Sequence, residues 1–582
     1  MSGIRIFACP FTPHLTDVEG NALRMVEELR AAREKNCDLV IFPETALTGY
    51  CLGDLHTDPE LVRRQERVIE EVLAPACLHI AAVIGATCEL RDGDDALVAR
   101  HNSAVVLAGG RVIHRAFKVL LANEGVLEDS RYFDAGPADR LSPVDVPLSG
   151  GRTLRLGVLI CQDLWDDGEI VHPARRLSEM GAQLLCVINA SPFHLKKPHL
   201  RRNVAAKRVA ECGVPLVYVN ATSLEDVGKN LVLFDGHCFA MSAAGLVQTR
   251  PWDGSSVAWD VPLDPVRGPF PAPEVRPEAL LSEALIYGIR EFFQKSRGAP
   301  SAVIGLSGGI DSAVDALLVT RALGADRLTC VNLPTRFNSP LTRDLAGRIA
   351  ANLGVDYRIH PIEDVVTAHA ARFAVSLGRP VKTLTLENIQ ARERGNILMA
   401  YAQELGAMVV GNGNKTEFQR GYATLYGDLI GALMPLGDVH KLLVYALGRE
   451  LDPHGEILPP EVFTVVPSAE LSANQNVLEG RGDPFDYHIE APLGVELIEN
   501  RATPAALREA FEARALDSSL WIPDALGLTV YDKMTPETFE AAARDVREAI
   551  ARSFFKRVQS PPNIVISPRA FGLDLHETLL GG

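Results

Sequence analysis

The sequence predicts an α/β protein built as two domains joined by a proline-rich connector. Three observations predict it. Short apolar runs recur between helical stretches: residues 4–8, 38–43, 81–85, 103–107, 156–160, 184–188 and 216–219 in the first half, and 302–306, 328–334, 357–359 and 407–410 in the second. Continuous apolar runs of this length read as strands buried on both faces, so the sheets are expected to be covered by helices. The chain has 582 residues, beyond the roughly 250–300 at which a single core stops growing. Finally, Pro262, Pro265, Pro269, Pro271, Pro273 and Pro277 crowd a segment with no sustained periodicity, the composition of a semi-rigid connector. The expected division is therefore 1–261, a connector over 262–277, and 278–582.

Helices are expected over 21–35, 278–296 and 342–353, where apolar residues recur at helical spacing. In the second half the β/α alternation implies a doubly wound parallel sheet, which binds its ligand outside the carboxyl ends of its strands. Composition narrows the classes further. Hydrophobic residues make up 47% and charged residues 23% of the chain, with a formal net charge of −16. That balance argues against a nucleic-acid partner and requires any anionic ligand to be met by local Lys and Arg. No apolar run is long enough to span a bilayer, so no membrane partner is expected. Residues 1–15 lack the layout of a signal peptide, and a cytoplasmic location is the default. The ten cysteines are scattered, with no Cys-x-x-Cys pair or His spacing that suggests zinc.

One stretch carries the strongest chemical signal. Residues 301–312 read Ser-Ala-Val-Ile-Gly-Leu-Ser-Gly-Gly-Ile-Asp-Ser. An apolar strand stops at two glycines, and a helix with Val314, Leu317, Leu318 and Ala322 at helical spacing follows. Glycines let the backbone close around a phosphate, and the free N–H groups at the helix start point at it. Ser307 and Ser312 add hydroxyls, and Asp311 is placed to hold magnesium against phosphate oxygens. A bare strand-to-helix turn is the ligand-free alternative. The Walker pattern with its Lys-Ser/Thr end is absent, so transfer of the γ-phosphate is not favoured. The string resembles the pyrophosphate loop of the N-type ATP pyrophosphatases.

In the first half, three strand ends carry groups that are costly to bury without purpose. Glu44 follows Ile41-Phe42-Pro43, Lys118 follows Arg115-Ala116-Phe117, and Cys161 follows Gly157-Val158-Leu159-Ile160. A thiolate nucleophile needs a base and a nearby cation. Glu44 can take the thiol proton, and Lys118 can stabilise the thiolate and a tetrahedral oxyanion. Singly, each also reads as a strand-end carboxylate, a solvated lysine and a core thiol. Together, Phe42-Pro43-Glu44-Thr45-Ala46-Leu47-Thr48-Gly49-Tyr50, Lys118 and Leu159-Ile160-Cys161-Gln162-Asp163-Leu164-Trp165 resemble the motifs of the nitrilase, or carbon–nitrogen hydrolase, superfamily. The resemblance implies an αββα sandwich with a Glu44-Lys118-Cys161 triad that hydrolyses amides. Two residues depart from the pattern. Gln162 replaces a Glu, and Ala122-Asn123-Glu124 replaces the Pro-Asn-Tyr of glutamine-using relatives. Glu124 is then expected to bind the glutamine amino group in place of that tyrosine. Asn189-Ala190-Ser191-Pro192-Phe193 and Lys197 match the relatives' substrate stretch, which implies glutamine contacts at Ser191 and Lys197.

Further strings follow in the second half: Asn388-Ile389-Gln390-Ala391-Arg392-Glu393-Arg394 opening a helix, Gly411-Asn412-Gly413-Asn414-Lys415-Thr416-Glu417, Gly421-Tyr422-Ala423-Thr424-Leu425-Tyr426-Gly427-Asp428, Pro435-Leu436-Gly437-Asp438-Val439-His440-Lys441, and Phe555-Lys556-Arg557. In this order they resemble the NAD synthetase family, and a nitrilase-like half in front resembles its glutamine-dependent members. The resemblance implies that Gly305, Leu306, Ser307, Gly308, Gly309, Ile310, Asp311, Ser312, Asn412, Lys441 and Ser468 hold ATP. It implies magnesium on Asp311 and Glu417, and deamido-NAD on Asn388, Arg392, Glu417 and Lys556. It further implies adenylation of deamido-NAD, ammonia drawn from glutamine and passed between domains, and a homo-oligomer. After Leu471 relatives continue Asp-Glu and Leu-Pro-Pro-Tyr, whereas this chain has Asn474-Gln475-Asn476 and Asp483-Pro484-Phe485-Asp486-Tyr487. Three rival readings stay open: another amide-forming ATP pyrophosphatase, an amidase with a silent nucleotide-binding half, and a non-catalytic glutamine or nucleotide sensor.

Overall fold

The computed structural model describes residues 3–271, 275–296 and 300–572. It divides into two compact units, Met1–Gly228 with Val232–Glu274, and Val275–Gly582 with Lys229–Leu231. Pro273 of the connector lies outside the described residues.

Among the described residues of the first half lie fourteen strands: β1 (Ile4–Ala8), β2 (Leu39–Ile41), β3 (Ala81–Arg91), β4 (Leu97–Ala108), β5 (Arg111–Phe117), β6 (Val144–Pro147), β7 (Thr153–Ile160), β8 (Leu184–Asn189), β9 (Leu216–Asn220), β10 (Thr222–Asp226), β11 (Leu231–Asp235), β12 (Phe239–Ser242), β13 (Gly245–Gln248) and β14 (Val257–Val261). They form two six-stranded sheets, ordered β14-β1-β2-β3-β4-β5 and β13-β12-β9-β8-β7-β6, and the pair β10-β11. Side chains alternate across a strand, and both faces here are apolar. Ile4, Ile6 and Ala8 of β1 share one core with Leu156, Val158 and Ile160 of β7, which places the sheets face to face. Phe7, Val40 and Ile84 point the other way, onto Ala22, Met25 and Leu29 of the helix Val18–Glu34. On the far side Leu159, Leu185 and Val187 pack on Ala205 and Val209 of the helix Lys197–Cys212. Helix, sheet, sheet and helix make four layers, the αββα sandwich.

Part of the proline-rich stretch lies on the core of the first unit. Val266 is buried and Phe270 packs beside it, on the core that holds Leu159 and Val209. Burial of apolar surface there contributes about 25 cal/mol per Å², which favours keeping these side chains against the core.

The second unit holds a four-stranded sheet of β15 (Ser301–Gly305), β16 (Leu328–Asn332), β17 (Asp356–Ile359) and β18 (Ala407–Val410). All pairs are parallel, in the order β17-β16-β15-β18. The chain winds outward from β15 through β16 to β17, then returns to the opposite side of β15. The carboxyl ends of β15 and β18 therefore flank the switch point, where ligands bind in such sheets. The helix carrying Asn388 runs Thr383–Leu405. It starts one turn earlier than the sequence reading, because Leu386 joins Ile389 on the apolar face packed against Val303 and Val409. A cluster of helices that the periodicity reading did not pick out follows, with Leu507, Phe511, Trp521, Phe539, Ala543 and Val546 as its core. Among the described residues no helix is long and apolar enough to cross a membrane.

Candidate active sites

Glu44, Lys118 and Cys161 each stand just beyond a strand, after β2, β5 and β7 respectively. The turn through Glu44 lies flat on β3. Thr45 adopts φ +46°, and a Cβ built on Gly85 would fall 2.3 Å from the Pro43 carbonyl oxygen. Only glycine fits at position 85. Lys118 is completely buried, its Nζ 2.7 Å from Glu44 Oε1 and 2.7 Å from Asp129 Oδ2. Asn102 Nδ2 and the Ala190 N–H both donate to the Glu44 carboxylate at 2.7 Å. Asp129 is held in turn by the Tyr50 hydroxyl at 2.7 Å and the Ala122 N–H at 2.8 Å. Burial opposes the Lys118 charge, but the carboxylates of Glu44 and Asp129 outweigh it and its pKa rises well above the ordinary lysine value. A buried cation with two anionic partners is a fixed electrostatic element.

Cys161 opens a short 3₁₀ turn at φ +46°, an uncommon conformation for a non-glycine residue that is often found at functional positions. Its thiol is buried. Burial and then the Glu44 charge push its pKa up, while Lys118 and Lys197 pull it down. The thiol therefore holds its proton more tightly than an ordinary cysteine, and the Glu44 charge is part of the reason. Asp163 ties the nucleophile turn to the lysine segment by accepting from the N–H groups of Ile160, Val119 and Leu120 at 3.0, 2.9 and 2.8 Å.

Ser191 follows β8 in a buried network. Arg201 donates through Nε to Ser191 Oγ at 3.2 Å and pairs with Asp235 at 2.5 Å. Lys197 lies 4.3 Å above the Trp165 ring, and burial followed by the Arg201 charge lowers its pKa to about 8. The charges of Cys161 and Glu124 act on it in the opposite sense. Glu124 itself is exposed. Asp129, Asn102 and Arg201 escaped the sequence reading because their partners lie far along the chain.

In the second unit the loop after β15 is stitched by its own hydroxyls. Ser307 N and Ser307 Oγ meet Ser312 Oγ at 3.2 and 3.0 Å, and Gly309 N donates to Ser307 Oγ at 3.2 Å. Gly309 precedes the helix Ile310–Leu323 without a side-chain cap. The Leu306 N–H donates to the Val331 carbonyl at 3.0 Å, and Asn412, after β18, donates to the Gly305 carbonyl at 2.9 Å. Two strand ends thus clasp the loop at the switch point. Asp311 pairs with Lys441 and accepts from Asn414 Nδ2 at 3.2 Å. Glu417 caps its own helix, Lys415–Arg420, through a reciprocal pairing with Asn414. Burial and then Asp311 raise the Glu417 pKa well above the ordinary carboxylate value, against the pull of Lys441.

Three of the expected deamido-NAD residues reach one loop, 421–428. Asn388 Oδ1 accepts from Thr424 at 2.8 Å, Arg392 Nε donates to the Leu425 carbonyl at 3.2 Å, and Lys556 Nζ donates to the carbonyls of Gly421 and Ala423 at 2.8 and 2.6 Å. Glu417 sits just before that loop, its carbonyl accepting from the Tyr422 N–H at 2.9 Å. Ser468 accepts from the Glu470 N–H at 3.2 Å. The segment that departs from relatives packs here as well. Tyr487 lies 5.0 Å from the Lys441 ammonium and donates to Asp483 at 2.8 Å, and Phe485 meets Tyr422 edge-on.

Asp315, one turn after Asp311, is fully buried, and among the described residues neither of its carboxylate oxygens is hydrogen-bonded. An Asp among Ile310, Val314 and Leu318 on an apolar helix was the available sequence signal. Burial and then Asp311 raise its pKa well above the ordinary value. The folded state therefore favours the neutral acid. Its contribution to stability is complete below the unfolded pKa near 4 and is lost as pH rises toward the folded value, by about 1.4 kcal/mol per pH unit. Asp315→Asn is expected to melt higher than the parent at pH 8, with the gap closing toward pH 5. Parallel melting curves across that range contradict the buried-acid assignment.

Residues 6–258 match the carbon-nitrogen hydrolase family and residues 281–504 the NAD synthase family. The glutamine-dependent NAD(+) synthetase of Acinetobacter baylyi is 31% identical over 530 residues, covering 90% of this chain and 93% of that protein. The Rhodobacter capsulatus protein of the same name is 32% identical over 593 residues, covering 98% of this chain and 97% of its own. The structure of glutamine-dependent NAD+ synthetase from Acinetobacter baumannii in complex with adenosine diphosphate matches at TM-score 0.71 and 26% identity, over 100% of this chain and 99% of that one. With a carbon-nitrogen hydrolase match in one half, an NAD synthase match in the other and full-length relatives of this kind, the chain belongs to the glutamine-dependent NAD(+) synthetases.

Proposed function

We propose that residues 1–261 carry the glutaminase and residues 278–582 the synthetase, with the following division of roles. The observation that supports the glutaminase reading most is Lys118, wholly buried between Glu44 and Asp129 next to the turn that holds Cys161. Glu44 takes the Cys161 proton as sulfur attacks the glutamine carboxamide carbon, and Lys118 stabilises the oxyanion. Collapse of that intermediate breaks the C–N bond, and Glu44 returns the proton to the leaving ammonia. Water then attacks the thioester, with Glu44 again the base, and glutamate leaves. Lys197 and Ser191 take the glutamine carboxylate. Glu124, whose charge acts on Lys197, takes the amino group.

In the synthetase unit the loop 305–312, with Asn412, Lys441 and Ser468, holds ATP. Asn388, Arg392, Glu417 and Lys556 hold deamido-NAD around loop 421–428. The nicotinate carboxylate displaces pyrophosphate from the ATP α-phosphorus, and ammonia displaces AMP from the acyl adenylate. Ammonia reaches it unprotonated only if kept from water, so it is passed internally.

Asp311 and Glu417 suit a magnesium ion. They are like charges close enough to raise the Glu417 pKa. Among the described residues no group of three or more His, Cys, Asp or Glu side chains could hold a metal. Two carboxylates plus phosphate oxygens and waters is the set magnesium takes, and bound there it neutralises phosphate charge. We also infer a homo-oligomer, supported by the helix Glu363–Leu377, which buries only Val366 and leaves Phe373 and Val375 42% and 84% exposed. Sedimentation velocity measures that directly.

Supplied with glutamine, ATP, magnesium and deamido-NAD, the purified protein is expected to form NAD and AMP in equal amounts, and ammonium replaces glutamine. NAD formation without AMP contradicts the adenylate route. In the same assay Glu124→Ala should raise the KM for glutamine while ammonium-driven turnover stays unchanged; an unaltered KM removes Glu124 from the head-group site.

A further inference from the structure

We propose that Glu470 is a positioning residue of the synthetase site, seating the segment that carries Ser468 against the phosphate loop through Thr342. This rests on the reading of loop 305–312 as the ATP site.

Three segments meet at this carboxylate. Glu470 is 4% exposed and adopts φ +46°. Its Oε1 accepts from the Ser339 N–H at 3.0 Å and its Oε2 from the Thr342 hydroxyl at 2.6 Å. Both donors belong to the start of the helix Pro340–Leu353, where Ser339 is the N-cap. A negative charge at that end is favourable by the helix dipole as well as by the hydrogen bonds. Thr342 is also the wall of the phosphate loop: a Cβ built on Gly308 would fall 2.0 Å from the Thr342 carbonyl oxygen. The side chain of Thr342 thus answers to Glu470 while its carbonyl abuts the loop's second glycine position.

On the other side Glu470 shapes its own segment. Its N–H donates to Ser468 Oγ at 3.2 Å. The next residue, Leu471, donates to Gln475 at 2.8 Å and accepts from Gln390 Nε2 at 2.7 Å. A left-handed conformation at a non-glycine persists where surrounding contacts over-determine it, as these do. Half-buried Arg394 feels the Glu470 charge as well: burial lowers its pKa to about 10, and Glu470 acts in the opposite sense. A carboxylate with both oxygens committed to one helix start and a strained backbone beside Ser468 acts by holding geometry. Nothing places it on the reacting atoms.

The test uses ammonium as nitrogen donor, so the glutaminase unit plays no part. Glu470→Ala is expected to raise the KM for ATP about tenfold or more, with the KM for deamido-NAD within about twofold of the parent. Glu470→Gln keeps an acceptor for the Ser339 N–H and a partner for the Thr342 hydroxyl, so it should restore the ATP KM to within about threefold. Thr342→Val removes only the hydroxyl and should move the ATP KM in the same direction. It decides the matter if Glu470→Ala does not fold. An ATP KM unchanged in Glu470→Ala, a Gln variant as damaged as Ala, or equal losses for both substrates overturns the proposal. Asp311→Ala separates this from failure of the ATP reading itself. If loop 305–312 does not hold ATP, Asp311→Ala stays active. If only the Glu470 role fails, Asp311→Ala is dead and Glu470→Ala is normal.

Discussion

Cys161→Ala is expected to abolish glutamine-driven NAD synthesis, by about four orders of magnitude or more, while ammonium-driven synthesis stays at the parent rate. In the proposed reaction the sulfur is the group that attacks, and alanine puts no nucleophile in its place. Alanine also shares cysteine's cost at φ +46°, so the turn Cys161–Leu164 should keep its shape. Asp163 still gathers the N–H groups of Ile160, Val119 and Leu120, and the buried cluster of Lys118, Glu44 and Asp129 loses no hydrogen bond. Steady-state rates with each nitrogen donor measure this. Loss of the ammonium-driven reaction as well means the two units do not divide the labour as proposed.

Gly308→Ala should do the reverse, lowering synthesis from either donor by about two to three orders of magnitude while glutamine hydrolysis continues. Gly308 has φ +91°, and the added methyl would lie 2.0 Å from the Thr342 carbonyl oxygen. Backbone cannot move aside as a side-chain tip can, so the loop itself must shift. A shift of about 1 Å at a phosphate cradle can cost about a hundredfold in rate. Gly309→Ala is the internal control. There the new atom meets only Ser307 Oγ at 3.4 Å, and φ is −80°. Its loss should be at least about tenfold smaller, since ordinary contact replaces a clash. Rates measured with ammonium, beside glutamate release, separate the two. Equal losses at 308 and 309 mean that ligand contact, rather than the wall at Thr342, sets the glycine requirement.

Much of this protein could be read locally. Each residue's neighbours two and four places away decide whether a run is strand or helix, and Ile4, Ile6 and Ala8 alternate with Phe7 in that way. The strand-end motifs at Glu44, Lys118 and Cys161, and the glycines after β15, are likewise contiguous strings whose chemistry needs no knowledge of distant chain. Where local pattern was weak the reading failed, as at the start of the helix Thr383–Leu405 and through the helical cluster around Phe539. That Val266 and Phe270 of the proline-rich stretch find their core in β7 and the helix Lys197–Cys212 is likewise set by distant chain.

The sequence by itself thus determined the α/β plan and supplied the candidates for a nucleophile with its base and cation and for a phosphate loop. Only the tertiary structure decided which groups hold them in place: Asp129 and Asn102 on the buried triad, Arg201 behind Ser191, Asp315 left without a partner, and Glu470 bridging to Thr342. The reason is physical. Backbone conformation follows from near neighbours, but the cost of burying a charge depends on what the fold brings beside it, and Glu470 and Thr342 lie 128 residues apart.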